Sequence, residues 1–268
     1  MRRYPLFIIA FVIAGFLVAQ SAPLSNISFH CQTQSSIVHH ILVENLQPET
    51  HRENSVYEVD YKADFGDTIS FTVLHARIER HTDGKHWIYE TGKEGDPRAS
   101  GKVFDTFLKK PLYVSADNGK PVNPESIPFF NQTDRDTSLK TVSFALTLSL
   151  RHKNPQKEIF DESYLPVTPL GELRLKISYR ESGRMSEGVR WEITLNEANF
   201  LVDQAFKEVI NVELKDANLS GWVLYDSSGF LVTAKLSYRL KMVTSQPFLS
   251  PNVKIESSVV SYVSIERR

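Results

Sequence analysis

Cysteine is nearly absent from this sequence, and its scarcity limits how the chain can be stabilised. Cys31 is the only cysteine among 268 residues, so no disulfide can form within the chain and a hydrophobic core has to hold the fold. Hydrophobic residues make up 41% and aromatic residues 11% of the sequence, which is enough for such a core. His30 adjoins Cys31, but neighbours in an extended chain point to opposite sides, so we interpret the thiol as buried or incidental.

An excess of charge of either sign is missing as well. The formal net charge is −1 at pH 7, so the charge balance does not favour binding to nucleic acid. The sequence contains no G-x-S-x-G elbow, no P-loop, no G-x-G-x-x-G and no H-E-x-x-H motif. We therefore predict no catalytic residue and no cofactor. Carboxylates that meet only in the folded protein leave a hydrolase as an alternative.

A continuous apolar run is found at the N-terminus, in residues 6–19. It follows a pair of arginines and ends near the small residues Ala19 and Ser21, a combination typical of a signal peptide. The run is shorter than the roughly twenty residues that a membrane span requires, so membrane attachment is expected only if the segment stays uncleaved. We predict that residues 1–21 are a signal peptide and that the protein is exported, to the periplasm or the extracellular space.

Apolar and polar residues alternate along much of the remaining sequence, most clearly in residues 221–242. A period of two with one polar face predicts a half-buried antiparallel strand. Asp226 and Gly229 suit the turn of a hairpin, because aspartate closes its own backbone and glycine accepts a positive φ. Similar alternation is present in residues 55–65, 141–152, 173–180 and 189–195, and residues 68–82 and 253–265 are also predicted to be strands.

Asp83 and Gly84 predict a second, tight hairpin, because a type I′ turn requires positive φ at both central positions. This turn sets the register of its strands and places His81 opposite His86. Two imidazoles across a hairpin can bind zinc together with one carboxylate from elsewhere, and they can equally be a solvated pair beside an exposed turn.

One helix is predicted, over residues 196–209. Its apolar residues have helical spacing, and Asn196 is a suitable N-cap. They are Ala198, Leu201, Val202, Ala205, Phe206 and Val209. The expected fold is therefore mainly β (α+β): an antiparallel, strongly curved meander sheet or open barrel with one packed helix.

The domain organisation is predicted from where this alternation begins. Residues 22–54 are polar and weakly patterned, so we expect a lead-in segment there, and residues 55–268 form a single β-rich domain. Trp87 and Trp191 each lie in a strand that is followed by an aspartate–glycine turn. This repetition suggests two related halves, residues 55–153 and 170–268, although meander proteins produce such repetition without duplication.

Two segments carry a distant resemblance to known proteins. The turn at Asp226 with its long following strand, together with Pro166, Pro169 and Gly171 ahead of another strand, resembles bacterial exported β-rich proteins of unknown function. The strands with one helix are also similar to the half-barrel of periplasmic lipoprotein carriers. The resemblance implies a curved sheet and assigns a role to no residue.

The leading functional hypothesis is a non-enzymatic envelope or secreted protein that binds an apolar small molecule, a lipid or a protein on the concave face of the sheet. The alternatives are a hydrolase or metal-dependent enzyme using dispersed carboxylates or His81 and His86, and a structural or adhesive surface domain. The expected ligand-binding residues lie on one face of the best-patterned strand. They are Phe230, Leu236, Tyr238 and Leu240.

Overall fold

The computed structural model describes residues 27–65, 68–93, 111–115, 158–168, 171–202, 207–246 and 250–268. In these residues the chain forms eleven strands and no helix. The strands are β1 Ile27–Val43, β2 Glu49–Asp64, β3 Thr68–Thr82, β4 Lys85–Glu90, β5 Leu112–Ser115, β6 Glu158–Thr168, β7 Gly171–Met185, β8 Gly188–Val202, β9 Asn211–Tyr225, β10 Leu231–Gln246 and β11 Ser250–Arg267. The chain is therefore mainly β, as predicted.

All eleven strands belong to one antiparallel sheet with the order β4-β3-β2-β1-β11-β10-β9-β8-β7-β6, and β5 pairs with the start of β3. The sheet consists of two meanders, β1 to β4 and β6 to β11. They are joined where β1 pairs with β11 along fifteen residue pairs. The sheet does not close, because β4 and β6 lie at opposite ends of the strand order.

The two sides of the sheet differ as the alternation predicts. We call the side that carries the buried apolar residues the inner face and the opposite side the outer face. In β2, for example, Tyr57, Val59 and Tyr61 are completely buried, while the residues between them are partly exposed. This is the period-two burial of a sheet with one wet side.

Both predicted hairpins form. Asp83 and Gly84 have φ values of 47° and 79°, and the register pairs His81 with His86 and Arg80 with Trp87. At the other hairpin, Asp226 Oδ1 accepts hydrogen bonds from the backbone N–H groups of Ser228 and Phe230.

One detail of the second hairpin differs from the prediction. A register shift between Leu231 and Thr233 leaves Val232 as the extra residue. Leu231 is buried there instead of Val232, and the predicted alternation holds from Ala234 to Met242.

The helix predicted over residues 196–209 is wrong for the part of it that the structure describes. Residues 196–202 continue β8, which pairs with β7 as far as Val202, and residues 207–209 form a turn. Residues 203–206 lie outside the described part of the chain.

A β-bulge explains the misleading spacing. Ile177 pairs with Leu195 and Lys176 pairs with Glu197, so Asn196 is an extra residue in β8. The apolar alternation therefore passes from Leu195 to Ala198, a step of three that imitates helical periodicity within a strand.

The predicted lead-in segment, residues 22–54, contains a central strand. Residues 27–43 form β1, which lies between β2 and β11, and β2 begins at Glu49. The pattern was inconspicuous because the middle of β1 directs the small polar side chains of Thr33 and Ser35 inward. The proposed domain limits and the relation between the two halves stay predictions.

The predicted signal peptide, residues 1–21, lies outside the described residues, as does the strand expected over residues 141–152. Within the described ranges, no helix has the length and apolar character to span a membrane.

Gly221 provides a test of how closely β9 and β10 pack. Its φ is +151°, and a Cβ built there would lie 2.1 Å from the carbonyl oxygen of Lys235. We expect Gly221→Ala to destabilise the protein by about 2 kcal/mol or more, because strained backbone and a backbone clash add together. Urea unfolding of the purified protein measures this change.

Gly183→Ala is the matched control, since no atom lies within 4 Å of a Cβ placed there. Its effect should stay within about 0.5 kcal/mol. Equal unfolding midpoints for the two variants would contradict the assigned packing.

Candidate functional site

The inner face carries the hydrophobic core that the described strands form. Its buried residues belong to one cluster to which nine strands contribute. The largest completely or almost completely buried side chains in it are Phe29, Tyr57, Tyr61, Ile78, Leu173, Ile177 and Tyr179. Because every described strand lies in this one sheet, the described part of the chain places no second sheet or helix against the inner face.

The structure places three of the four predicted ligand-binding residues together on the inner face. Leu236, Tyr238 and Leu240 are consecutive inward residues of β10, with exposed fractions of 5%, 4% and 3%. Phe230 lies apart from them, before β10 begins. Its ring meets that of Phe65 edge-on, with centroids 4.8 Å apart.

The contact between Phe65 and Phe230 joins strand ends that are not neighbours. Phe65 follows β2 and Phe230 precedes β10, with β1 and β11 between them. The two rings therefore bridge the sheet at one end of the inner face. We expect Phe230 to close this end of the site rather than to line its centre.

A belt of small hydroxyl side chains crosses the inner face near the middle of β1. Ser35 pairs in register with Ser55 of β2 and with Ser261 of β11, and all three are buried. The hydroxyl groups of Ser35 and Ser261 are 2.7 Å apart and hydrogen-bonded. This bond supplies a partner for polar atoms that would otherwise be costly to bury.

Beyond this belt the inner face becomes polar over β1, β2, β3 and β11. We call this region, formed by His39, His51, Glu53, Arg80 and Ser257, the polar corner. Arg80 Nε lies 2.8 Å from Glu53 Oε1, and Arg80 Nη2 donates to Glu53 Oε2 over 2.9 Å. Two parallel contacts of this kind hold a guanidinium and a carboxylate in a fixed orientation.

The histidines of the polar corner have opposite pKa shifts. Burial lowers the pKa of His39, with a further lowering from neighbouring His51, and His39 Nδ1 is hydrogen-bonded to Ser257 Oγ over 2.8 Å. The hydrogen bond to Asp83, assisted by Glu49, raises the pKa of His51. Protonation is therefore less favourable at His39 than at neighbouring His51.

His30 and Cys31 point to opposite sides of the sheet, as their adjacency predicts. Cys31 is completely buried on the inner face, and burial raises the pKa of its thiol to about 12. His30 Nδ1 contacts Asp60 Oδ1 over 2.8 Å on the outer face. These two residues therefore do not form a thiolate–imidazole pair.

The structure brings His81 and His86 together on the outer face, and it adds a residue that the sequence reasoning missed. The imidazole rings are stacked with centroids 4.1 Å apart, and Glu79 lies beside both. Glu79 precedes His81 by two residues in the same strand. The alternation of strand side chains was a sufficient signal to include it.

The thiol of Cys31 gives a first prediction for this region. We expect a water-soluble disulfide reagent to label Cys31 in the native protein at least about a hundredfold more slowly than in concentrated urea, because only an exposed thiolate reacts. Absorbance of the released thiol measures both rates. Similar rates in the two conditions would show that the inner face opens to solvent at Cys31.

His39 gives a second prediction, which concerns pH. Because its pKa in the folded protein is lowered from 6.5, the unfolded chain binds more protons as pH falls, so stability is lost with acidification through that range. His39→Asn retains a polar amide beside Ser257 and does not titrate. The variant should lose less stability than the parent between about pH 7.5 and about pH 5.5.

Urea unfolding at the two pH values measures this difference. An identical acid-dependent loss of stability in the parent protein and in the His39→Asn variant would remove His39 as its source.

No protein-family model matches the chain, and no curated protein matches it. Among solved structures, the chain is similar to lipovitellin in a study of lipid–protein interactions, with a TM-score of 0.44 and 8% identity over 90% of this chain and 25% of that chain. The protein thus spans about a quarter of the lipovitellin chain.

Two bacterial structures are also similar at low scores. A LolA-superfamily protein of Nitrosomonas europaea has a TM-score of 0.15 and 7% identity, with coverage of 88% and 84% of the two chains. A lipoprotein-sorting protein domain of Vibrio parahaemolyticus has a TM-score of 0.13 and 11% identity, with coverage of 86% and 83%. These similarities assign the chain to no family.

Proposed function

We propose that the protein is an exported, non-enzymatic binding protein whose inner face takes up an amphiphile with a long apolar chain. The observation that carries this proposal is the extent of the inner face. Apolar side chains from nine strands form one cluster on a single open sheet. These side chains are already less than a tenth exposed in the structure, so a ligand binds by inserting its apolar chain among them and replacing some of the contacts that they make with one another.

The dimensions of β10 suit an extended chain. From Ala234 to Met242 its inward residues are apolar, and this stretch is about 26 Å long at the usual rise of a strand. Each methylene of a ligand buried there contributes about 0.8 kcal/mol. Binding then depends on chain length more than on any single contact.

The polar corner suits the polar headgroup of such a ligand. Arg80 and Glu53 are paired at side-chain exposures of only 17% and 16%, so both are held on the inner face. The hydroxyl belt at Ser35 lies between this pair and the apolar part of the face. A polar headgroup finds hydrogen-bonding partners here while its chain lies against β10.

The geometry of the partly buried contact between Ser257 and His39 favours binding over hydrolysis. A serine nucleophile needs a histidine that a carboxylate orients from its other side. Ser257 is hydrogen-bonded to His39, but among the described residues no carboxylate contacts that histidine. Export belongs to the proposal through the predicted signal peptide, residues 1–21.

Tryptophan fluorescence tests where the ligand binds. Trp191 is 3% exposed on the inner face, whereas Trp222 lies on the outer face under the guanidinium of Arg190, 4.6 Å from its ring centroid. A dibrominated stearic acid should quench a variant that retains only Trp191. It should leave a variant that retains only Trp222 unchanged, because bromine quenches only at short range.

A matched pair of substitutions tests the inner face itself. Leu236→Gln and Ser237→Gln introduce the same side chain at adjacent residues of β10, on opposite faces. We expect the first to weaken binding of stearic acid about tenfold, from lost apolar contact, and the second by less than about twofold. Displacement of a fluorescent fatty acid measures both affinities.

Leu236→Phe controls for misfolding, because it keeps the site apolar while it changes its shape. Circular dichroism and urea unfolding confirm that each variant is folded. Failure of stearic acid to bind the parent protein, or equal affinities in the two glutamine variants, would overturn the proposal.

A further inference from the structure

We propose that Glu79, His81 and His86 form a binding site for a divalent transition metal, best suited to Zn²⁺, on the outer face of the β3–β4 hairpin. The site shares no residue with the proposed ligand-binding face, because Glu79 and His81 alternate with the inward Ile78 and Arg80 along β3 and His86 lies directly opposite His81 in β4. It rests on the geometry of a turn that fixes three ligand atoms together.

The β3–β4 hairpin holds the side chains of Glu79, His81 and His86 in defined positions. Asp83 and Gly84 occupy the left-handed conformations of a type I′ turn, with φ values of 47° and 79°. The Asp83 carboxylate also accepts a hydrogen bond from the backbone N–H of Arg52 over 3.1 Å and contacts His51 Nδ1 over 2.9 Å. These contacts attach the turn to β2.

The register then brings the two histidines as close as a sheet allows. Thr82 and Lys85 form the closing pair of the turn, so His81 and His86 are the next directly opposed pair. Next to a two-residue turn, this second pair is the one without backbone hydrogen bonds, in which side chains approach most closely. Their rings are accordingly parallel within 6°.

Glu79 completes a set of three ligands. Its Oε1 lies 3.3 Å from His81 Nε2 and 3.2 Å from His86 Nε2, and the three potential ligand atoms lie within 4.8 Å of one another. Ligand atoms around tetrahedral zinc are about 3.3 Å apart. The carboxylate is therefore already at a suitable separation from both rings, whereas the stacked rings have to rotate out of their parallel arrangement before both nitrogens face one ion.

The chemistry of the set favours a transition metal over calcium or magnesium. Two imidazole nitrogens and one carboxylate oxygen are typical ligands of zinc, whereas calcium and magnesium select sites made of oxygen alone. The exposed fractions of the three side chains range from 30% to 54%. An ion can therefore enter from solvent and keep a water molecule as its fourth ligand.

Neighbouring charged residues orient the carboxylate of Glu79 and lower its pKa. Arg77 Nη2 donates to Glu79 Oε2 over 3.1 Å, which leaves Oε1 directed at the histidines. The hydrogen bond from His81 holds the pKa of Glu79 below its ordinary value, with further help from Arg77 and His86. The carboxylate is therefore held in the charged form that binds a cation.

Zinc titration of the tag-free, full-length protein tests the proposal. Isothermal titration with zinc chloride near neutral pH should give one site per chain that is lost in the double variant His81→Gln/His86→Gln. Each single variant, and Glu79→Gln, should bind at least about tenfold more weakly than the parent.

His40→Gln is the matched control, since His40 is also a histidine of the outer face but is hydrogen-bonded to Thr50. It should bind zinc within about twofold of the parent. Cobalt(II) provides a second measurement, because a site with imidazole ligands changes its visible spectrum. No zinc binding in the parent, or undiminished binding in the folded double variant, would overturn the site.

Discussion

The pairing of β1 with β11 is the constraint on which the rest of the structure depends. The two strands come from opposite ends of the described chain and pair along fifteen residues. β1 is the first strand of one meander and β11 is the last strand of the other, and within each meander the strands pair mainly with their neighbours in sequence. Among the described strands, this pairing is what joins the two meanders into one sheet. It therefore also joins their apolar sides into one continuous inner face. Its cost is the closure of a very long loop, which many backbone hydrogen bonds and the buried Ser35–Ser261 contact offset.

Local sequence signals predicted the buried side and the register of a strand correctly wherever no bulge interrupted its alternation. The Asp83-Gly84 turn predicted the register of β3 and β4, and the alternation from Ala234 to Met242 predicted the buried side of β10. The helix prediction failed because a bulge at Asn196 changes the phase within β8. A bulge is decided by how the neighbouring strand pairs, and that information is not present in the bulged strand itself.

The candidate sites show the same division between local and non-local information. The two-residue turn predicted that His81 and His86 lie opposite each other. Glu79 could have been added to them, because residues two apart in a strand lie on the same face. The polar corner was beyond such reasoning, because its residues come from β1, β2, β3 and β11. No local pattern indicates that His39 meets Ser257, or that Glu53 meets Arg80, until the strand order is known.

The alternation that separates the two faces also connects them mechanically. Glu79 and His81 point outward from β3, and Arg80 between them points inward to Glu53. A metal ion that joins Glu79 to both histidines would link β4 to β3 through side chains as well as through backbone hydrogen bonds. The backbone of Arg80 is then held from both sides, which restricts movement of β3 where this side chain meets Glu53. The outer face would in this way stiffen the polar corner where we place a ligand headgroup, without contributing any atom to that corner.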